Sequence, residues 1–246
     1  MMTPVFALVI AMATATGAVI GSFCATAALR LASGETPWRG RSRCDGCART
    51  LNWAETVPVA GYVRAGGRCA TCGRGIDRFH LWGEGVGGVI CAVSLVIAPS
   101  WQGAVIAALG LCLLAAALVD VKTLTLPDGL NLAIAVLSLV LAVAGHRLIA
   151  GVAAAGLAVG ILCLLKAVLE RRRSQTLLGL GDIKLIAALA LGLGMATPFV
   201  LALAACAGLV VMLVAFRHRL ADHRLPFGPM VAATGFLGIL VMTVLA

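Results

Sequence analysis

The sequence predicts an all-α polytopic membrane protein of about eight transmembrane helices, with a small zinc-ribbon-like tetracysteine domain on one side. Three observations lead there. Hydrophobic residues make up 61% of the 246, and the mean hydropathy is +1.06, far above a soluble domain. The apolar residues gather into long runs separated by short charged or proline- and glycine-containing segments. Finally, an eight-span layout puts every Lys and Arg except Arg147 on one side or at its boundary. The net charge of +9 therefore marks the cytosolic face of a membrane protein and implies no nucleic-acid partner. The partner that composition does imply is the lipid bilayer.

The elements follow in order. Residues 1–31 form the first span. No basic residue precedes its apolar run, so it reads as a retained helix rather than a signal peptide. Residues 32–82 form a polar domain, in which eight arginines (39, 41, 43, 49, 64, 68, 74, 78) face four acids (35, 45, 55, 77). That bias places the domain in the cytosol. Residues 83–246 form the main membrane domain. Its second and third spans fall at about 85–99 and 102–119, with Trp82 and Trp101 as interface anchors. A turn from Asp120 to Asp128 leads to the fourth, at about 130–144, and the fifth covers about 148–169, closed by Glu170-Arg171-Arg172-Arg173. Residues 184–216 are long for one span, and Thr197-Pro198 offers a break. Two spans there leave Arg217-His218-Arg219 on the cytosolic side, and the eighth runs from about 228 to the end.

The polar domain contains two CxxC pairs, Cys44-Cys47 and Cys69-Cys72. Each pair can grip one metal ion from a tight turn, and four thiolates suit tetrahedral zinc. A small polar loop has little core and needs such a staple. Disulfides are disfavoured on the cytosolic side. With no open coordination position, the zinc is structural. The other five cysteines lie in apolar runs and read as small core residues.

The reactive candidates are two aspartates. Asp182 lies in Gly179-Leu180-Gly181-Asp182-Ile183-Lys184, where a polar loop meets an apolar run, and Asp120 closes the third span at the matching depth. A carboxylate at a membrane edge is expensive to desolvate, so it points to function. Two close carboxylates share a proton, and such a dyad can activate a water. The competing account pairs each with a neighbouring lysine, Lys122 or Lys184. Asp128, after Pro127, reads as a helix N-cap. The four histidines have no metal-like spacing among themselves.

Together these motifs resemble the type IV prepilin peptidases, bifunctional leader peptidase/N-methyltransferases of the GxGD aspartyl protease family. The likeness is carried by Gly21-Ser22-Phe23 with Arg30, the tetracysteine segment, Asp120 with Thr123 and Leu126-Pro127-Asp128, the GxGDxK of residues 179–184, and Leu225-Pro226-Phe227-Gly228-Pro229. The chain departs from the family at Ala25, at Val59-Ala60-Gly61 and over Arg78–Glu84, all in the N-terminal third. The resemblance implies that residues 83–246 are an aspartic endopeptidase with catalytic Asp120 and Asp182. Its substrates would be prepilins or pseudopilins, cut after a basic leader at the cytosolic edge of the bacterial inner membrane. It also implies methylation of the new N-terminus with S-adenosylmethionine, linked to residues 32–82 and to Gly67, Arg68 and Glu84. Two alternatives compete: another GxGD protease, against which the tetracysteine loop argues, and a non-enzymatic transporter or assembly scaffold with a zinc module. A transporter carries charges or broken helices in mid-membrane, whereas the acids here sit at one edge.

Overall fold

The computed structural model describes residues 3–173, 179–215 and 226–245. Among them are nine α-helices and no β-strand. Helix α1 covers Pro4–Ala32, α2 Ala60–Arg64, α3 Arg78–Ile97, α4 Trp101–Thr123 and α5 Asp128–Ala144. Then come α6 (Leu148–Arg173), α7 (Leu180–Leu193), α8 (Thr197–Ala215) and α9 (Gly228–Val244). All but the five-residue α2 are apolar, and they follow the expected spans in order. Four of them (α1, α3, α4, α6) are individually long and apolar enough to cross a membrane, α7 and α8 qualify as one 35-residue stretch, and α5 and α9 are shorter.

Helix starts follow from local chemistry. The hydroxyls of Thr3 and Ser100 and the carboxylate of Asp77 accept amide hydrogens at the N-termini of α1, α4 and α3. The Asp77 cap explains why α3 begins well before residue 85. Its first two turns carry Arg78, His80 and Glu84, which a hydropathy reading assigns to the loop. The split between α7 and α8 falls at Gly194, with φ of +55°, followed by a 3-10 turn into Thr197. Arg217, Arg219 and Leu225 lie outside the described residues.

Helices α1 and α3 pack antiparallel through glycine. Gly17 and Gly21 of α1 face Gly87 and Gly83 of α3, and a Cβ on any of the four would press into a backbone carbonyl across the contact. Each helix thus presents a small-xxx-small pair that lets the backbones touch. Helix α4 is the shared wall of the molecule. Leu111, Leu114 and Val119 join a cluster with Cys24, Ala25 and Cys91 of α1 and α3. Ile106, Leu109 and Leu113 join a second cluster with Ile134, Leu185, Leu189, Val231 and Ile239 of α5, α7 and α9. One end of this bundle collects the C-termini of α1 and α4 and the N-termini of α3, α5, α7 and α9, and the polar loop of residues 33–77 attaches there.

Candidate active site and tetracysteine centre

Asp120 lies three residues before the end of α4 and is buried. Its carboxylate accepts the Gly228 amide at 2.9 Å. Gly228 is the first residue of α9, so the positive end of that helix faces the carboxylate. A Cβ on Gly228 would stand 2.7 Å from Asp120 Oδ2, so only glycine brings its amide this close. Asp182 is the third residue of α7, and its carboxylate lies against Gly179, the residue that caps that helix. A Cβ on Gly179 would lie 3.0 Å from Asp182 Oδ2. The two aspartates therefore have similar settings, each carboxylate against a glycine at a helix start. Both lie at the end of the bundle where α4 finishes and α7 begins. Around them, Gly181 packs on Leu126, and the Asn131 side-chain amide donates to the Gly181 carbonyl at 3.5 Å.

The nearby lysines are engaged elsewhere. Lys122 Nζ lies 3.9 Å from Asp77 and 4.3 Å from the centre of the Phe79 ring. Lys184 bonds Asp128 at 2.6 Å. The helix-end pairing that competed with the dyad is thus satisfied by other carboxylates. Asp128 itself differs from expectation. The cap position of α5 is Pro127, which makes no side-chain cap, and Asp128 is the first helical residue, turned outward to Lys184. Proline pre-sets the helix entry, so no side-chain cap is required.

The four cysteines of the CxxC pairs converge, with all sulfurs within 4.8 Å of one another. The two halves repeat one hydrogen-bond pattern. Cys44 N–H donates to the Arg49 carbonyl and Ala48 N–H to the Cys44 carbonyl, while Cys69 N–H donates to Arg74 and Gly73 N–H to Cys69. Both turns close with a left-handed residue, Ala48 at φ +56° and Gly73 at +70°. The Cys44 and Cys72 sulfurs are 3.7 Å apart, about the edge of a tetrahedron built on zinc–sulfur bonds of about 2.3 Å. Amides of Cys72 and Thr71 and the Arg49 side chain hold the Cys69 thiol down at about 5, so a thiolate ligand stands ready. This group can hold a metal ion. Arg49 also pairs with both oxygens of Glu55, tying the centre to the capped turn at 53–55.

Beside the centre is a cavity of about 230 Å³ between the end of α1, the tetracysteine loop, α2 and the start of α3. Arg30, Glu55, Tyr62, Arg68, His80 and Glu84 are among its lining residues. Of the three residues linked to methylation, Arg68 and Glu84 reach this cavity. Gly67 does not; at φ +69° it backs onto the Tyr62 ring, where a Cβ would lie 2.9 Å from the phenol oxygen. Both oxygens of buried Glu84 are used, accepting the Ser22 hydroxyl at 2.7 Å and the Val59 amide at 2.8 Å. Arg30 donates to the carbonyls of Pro37, Arg39, Gly40 and Arg41 and so shapes the exit from α1. Sequence reasoning missed Ser22, Arg49, Tyr62 and Gly228 as working parts. Only the motifs around Ser22 and Gly228 gave any signal, because their roles depend on contacts 62 and 108 residues away.

These features define a polytopic membrane protein with two helix-end aspartates and a four-thiol cluster at one end of its bundle. The comparisons agree with that class. Residues 15–98 match the profile of the bacterial peptidase A24 N-terminal domain, and residues 107–213 match that of the type IV leader peptidase family. A prepilin leader peptidase/N-methyltransferase of Burkholderia pseudomallei is 38% identical over 79% of this chain and 65% of its own length. Proteins of the same description from Aeromonas hydrophila and Klebsiella pneumoniae are 29% and 30% identical, over 81% and 62% of this chain and 71% and 68% of theirs. No solved structure matches. The chain belongs to the type IV leader peptidase family. It spans just under two thirds of the length of its Burkholderia relatives.

Proposed function

We propose that this protein is an intramembrane aspartic endopeptidase that removes the basic leader from type IV prepilins or pseudopilins and then N-methylates the new N-terminus. The observation that carries the reading is the similar setting of Asp120 and Asp182, with both neighbouring lysines committed elsewhere. The ionised carboxylate takes a proton from water as it attacks the scissile carbonyl. The protonated one donates to that carbonyl oxygen, and no covalent intermediate is needed. The Gly228 amide holds the Asp120 side chain in place, and Gly179 leaves room for that of Asp182. A dyad at one end of the bundle suits a substrate whose leader lies in the cytosol and whose helix lies in the inner membrane. The eight arginines of the attached loop favour that end being cytosolic.

In this reading residues 32–82 hold a structural zinc at Cys44, Cys47, Cys69 and Cys72 and serve methylation, while residues 83–246 are the peptidase domain. The cavity beside the zinc fits S-adenosylmethionine, since charged side chains of both signs and Tyr62 line it. Arg68 would meet the carboxylate of the donor, and Glu84 and Gly67 hold the walls. When bound, the donor supplies an activated methyl group. The test is to replace Asp120 or Asp182 by Asn in a strain lacking its own peptidase. Each variant should accumulate uncut prepilin while still inserting, because general acid–base loss alone slows such steps by about 100- to 10,000-fold. Normal processing by a well-expressed Asp182→Asn protein would exclude the mechanism.

A further inference from the structure

The polar loop carries an apolar outer surface. Trp53 is 80% exposed and Val63 68%, and Val59 is also open. All three come from residues 53–63, where the 53–55 turn and α2 pack on each other. The segment is turned inside out: Val57, Gly61 and Tyr62 line the cavity, and Val59, just before α2, and Val63 face outward. A water-facing segment of a soluble module has no reason for this arrangement.

Depth supplies the reason. The Val59 amide is tied to Glu84, which is tied to Ser22. Ser22 lies ten residues before the end of α1, about 15 Å back along that helix, and Glu84 lies six residues into α3, about 9 Å in. With 29 residues, α1 is about 43 Å long, against about 30 Å of hydrocarbon. Measured from Pro4, the hydrocarbon ends near Ser22. The segment is therefore held against the flank of the α1–α3 pair, not above its end. Phe23 and Trp82, beside the two anchoring residues, are exposed at the same level.

We propose that residues 53–64 lie in the bilayer interface, with Trp53, Val59 and Val63 against lipid and exposed Arg64 reaching the headgroups. The partner is a lipid surface with anionic headgroups, to which the arginine-rich loop is complementary. The patch continues the lipid-facing surface of α1 and α3, and the cavity then opens beside the membrane. This assignment is independent of the catalytic reading.

The test uses the full chain in nanodiscs of mixed zwitterionic and anionic phospholipid. In a Trp38→Phe, Trp82→Phe, Trp101→Phe protein, Trp53 is the sole tryptophan. Its emission should be blue-shifted, should be lost when the acyl chains are brominated near the headgroup, and should resist aqueous acrylamide. Emission at the wavelength of free tryptophan, quenched by acrylamide and indifferent to brominated lipid, overturns the proposal. Protection from both quenchers also overturns it, since a protein surface would then cover the patch. If the triple variant does not fold, the native protein and Trp53→Phe are compared. The share of lipid quenching lost with Trp53 gives the same answer.

Discussion

Gly228→Ala is the most informative single change at the paired carboxylates. The new methyl would sit 2.7 Å from Asp120 Oδ2 and 3.1 Å from its Cγ. Ordinary carbon–carbon contacts begin at about 3.5 Å, so relief requires a shift of several tenths of an ångström. Asp120 is buried at the end of α4 and its oxygen is bonded to the Gly228 amide, so the carboxylate has little room to yield. A displacement of about 1 Å at a reacting group slows catalysis by about 100-fold. We therefore expect cleavage to fall by roughly 10- to 100-fold. Stability should fall by about 1–3 kcal/mol from this overpacking, offset only in part by the better helix propensity of alanine at the start of α9. The assay is leader removal from a prepilin by purified protein in detergent, with thermal unfolding measured alongside. Gly179→Ala is the graded control: its methyl would meet Asp182 Oδ2 at 3.0 Å, so the loss should be smaller. Wild-type cleavage by a folded Gly228→Ala protein would refute the placement of Asp120 at the reacting centre.

Gly21→Leu should push α1 off α3, since even a Cβ there presses into the Gly83 carbonyl. Overpacking of about 1–3 kcal/mol is expected, read as a lower melting temperature and easier proteolysis between residues 33 and 77. Ala48→Gly should stabilise the loop by about 0.4–1 kcal/mol, because Ala48 holds φ +56° where the equivalent residue is Gly73. An unchanged or lower midpoint would mean the turn differs in solution. Purified protein should contain one zinc per chain. Cys69→Ser or a strong chelator should remove it and open the loop to protease while the membrane helices stay intact, because metal binding and folding are linked in such modules.

Much of this architecture is legible in the chain. Eight apolar helices follow eight apolar runs because desolvation in lipid leaves the backbone few choices. The cysteines are legible because ligand spacing is local, and Asp120 and Asp182 stand out because charge at a membrane edge is rare. What stays hidden is non-local or set by shape. The start of α3 is invisible to hydropathy, since Asp77 caps it and its first turns are polar. The glycines at 17, 21, 83 and 87 look like scattered small residues until two helices bring their carbonyls together. Glu84 resembles a ligand in sequence, whereas its oxygens are spent fastening Ser22 and Val59. Arg49 looks like one more basic residue, and only the fold places it between Glu55 and Cys69.

Lys122 has a further consequence. It stands two residues beyond Asp120 on the same helix, and its ammonium rests on Asp77 and the Phe79 ring at the head of α3. The last turn of α4 is thereby clamped to the helix that borders the cavity. The end of the helix that carries Asp120 and the head of the helix that borders the cavity thus meet at a single lysine.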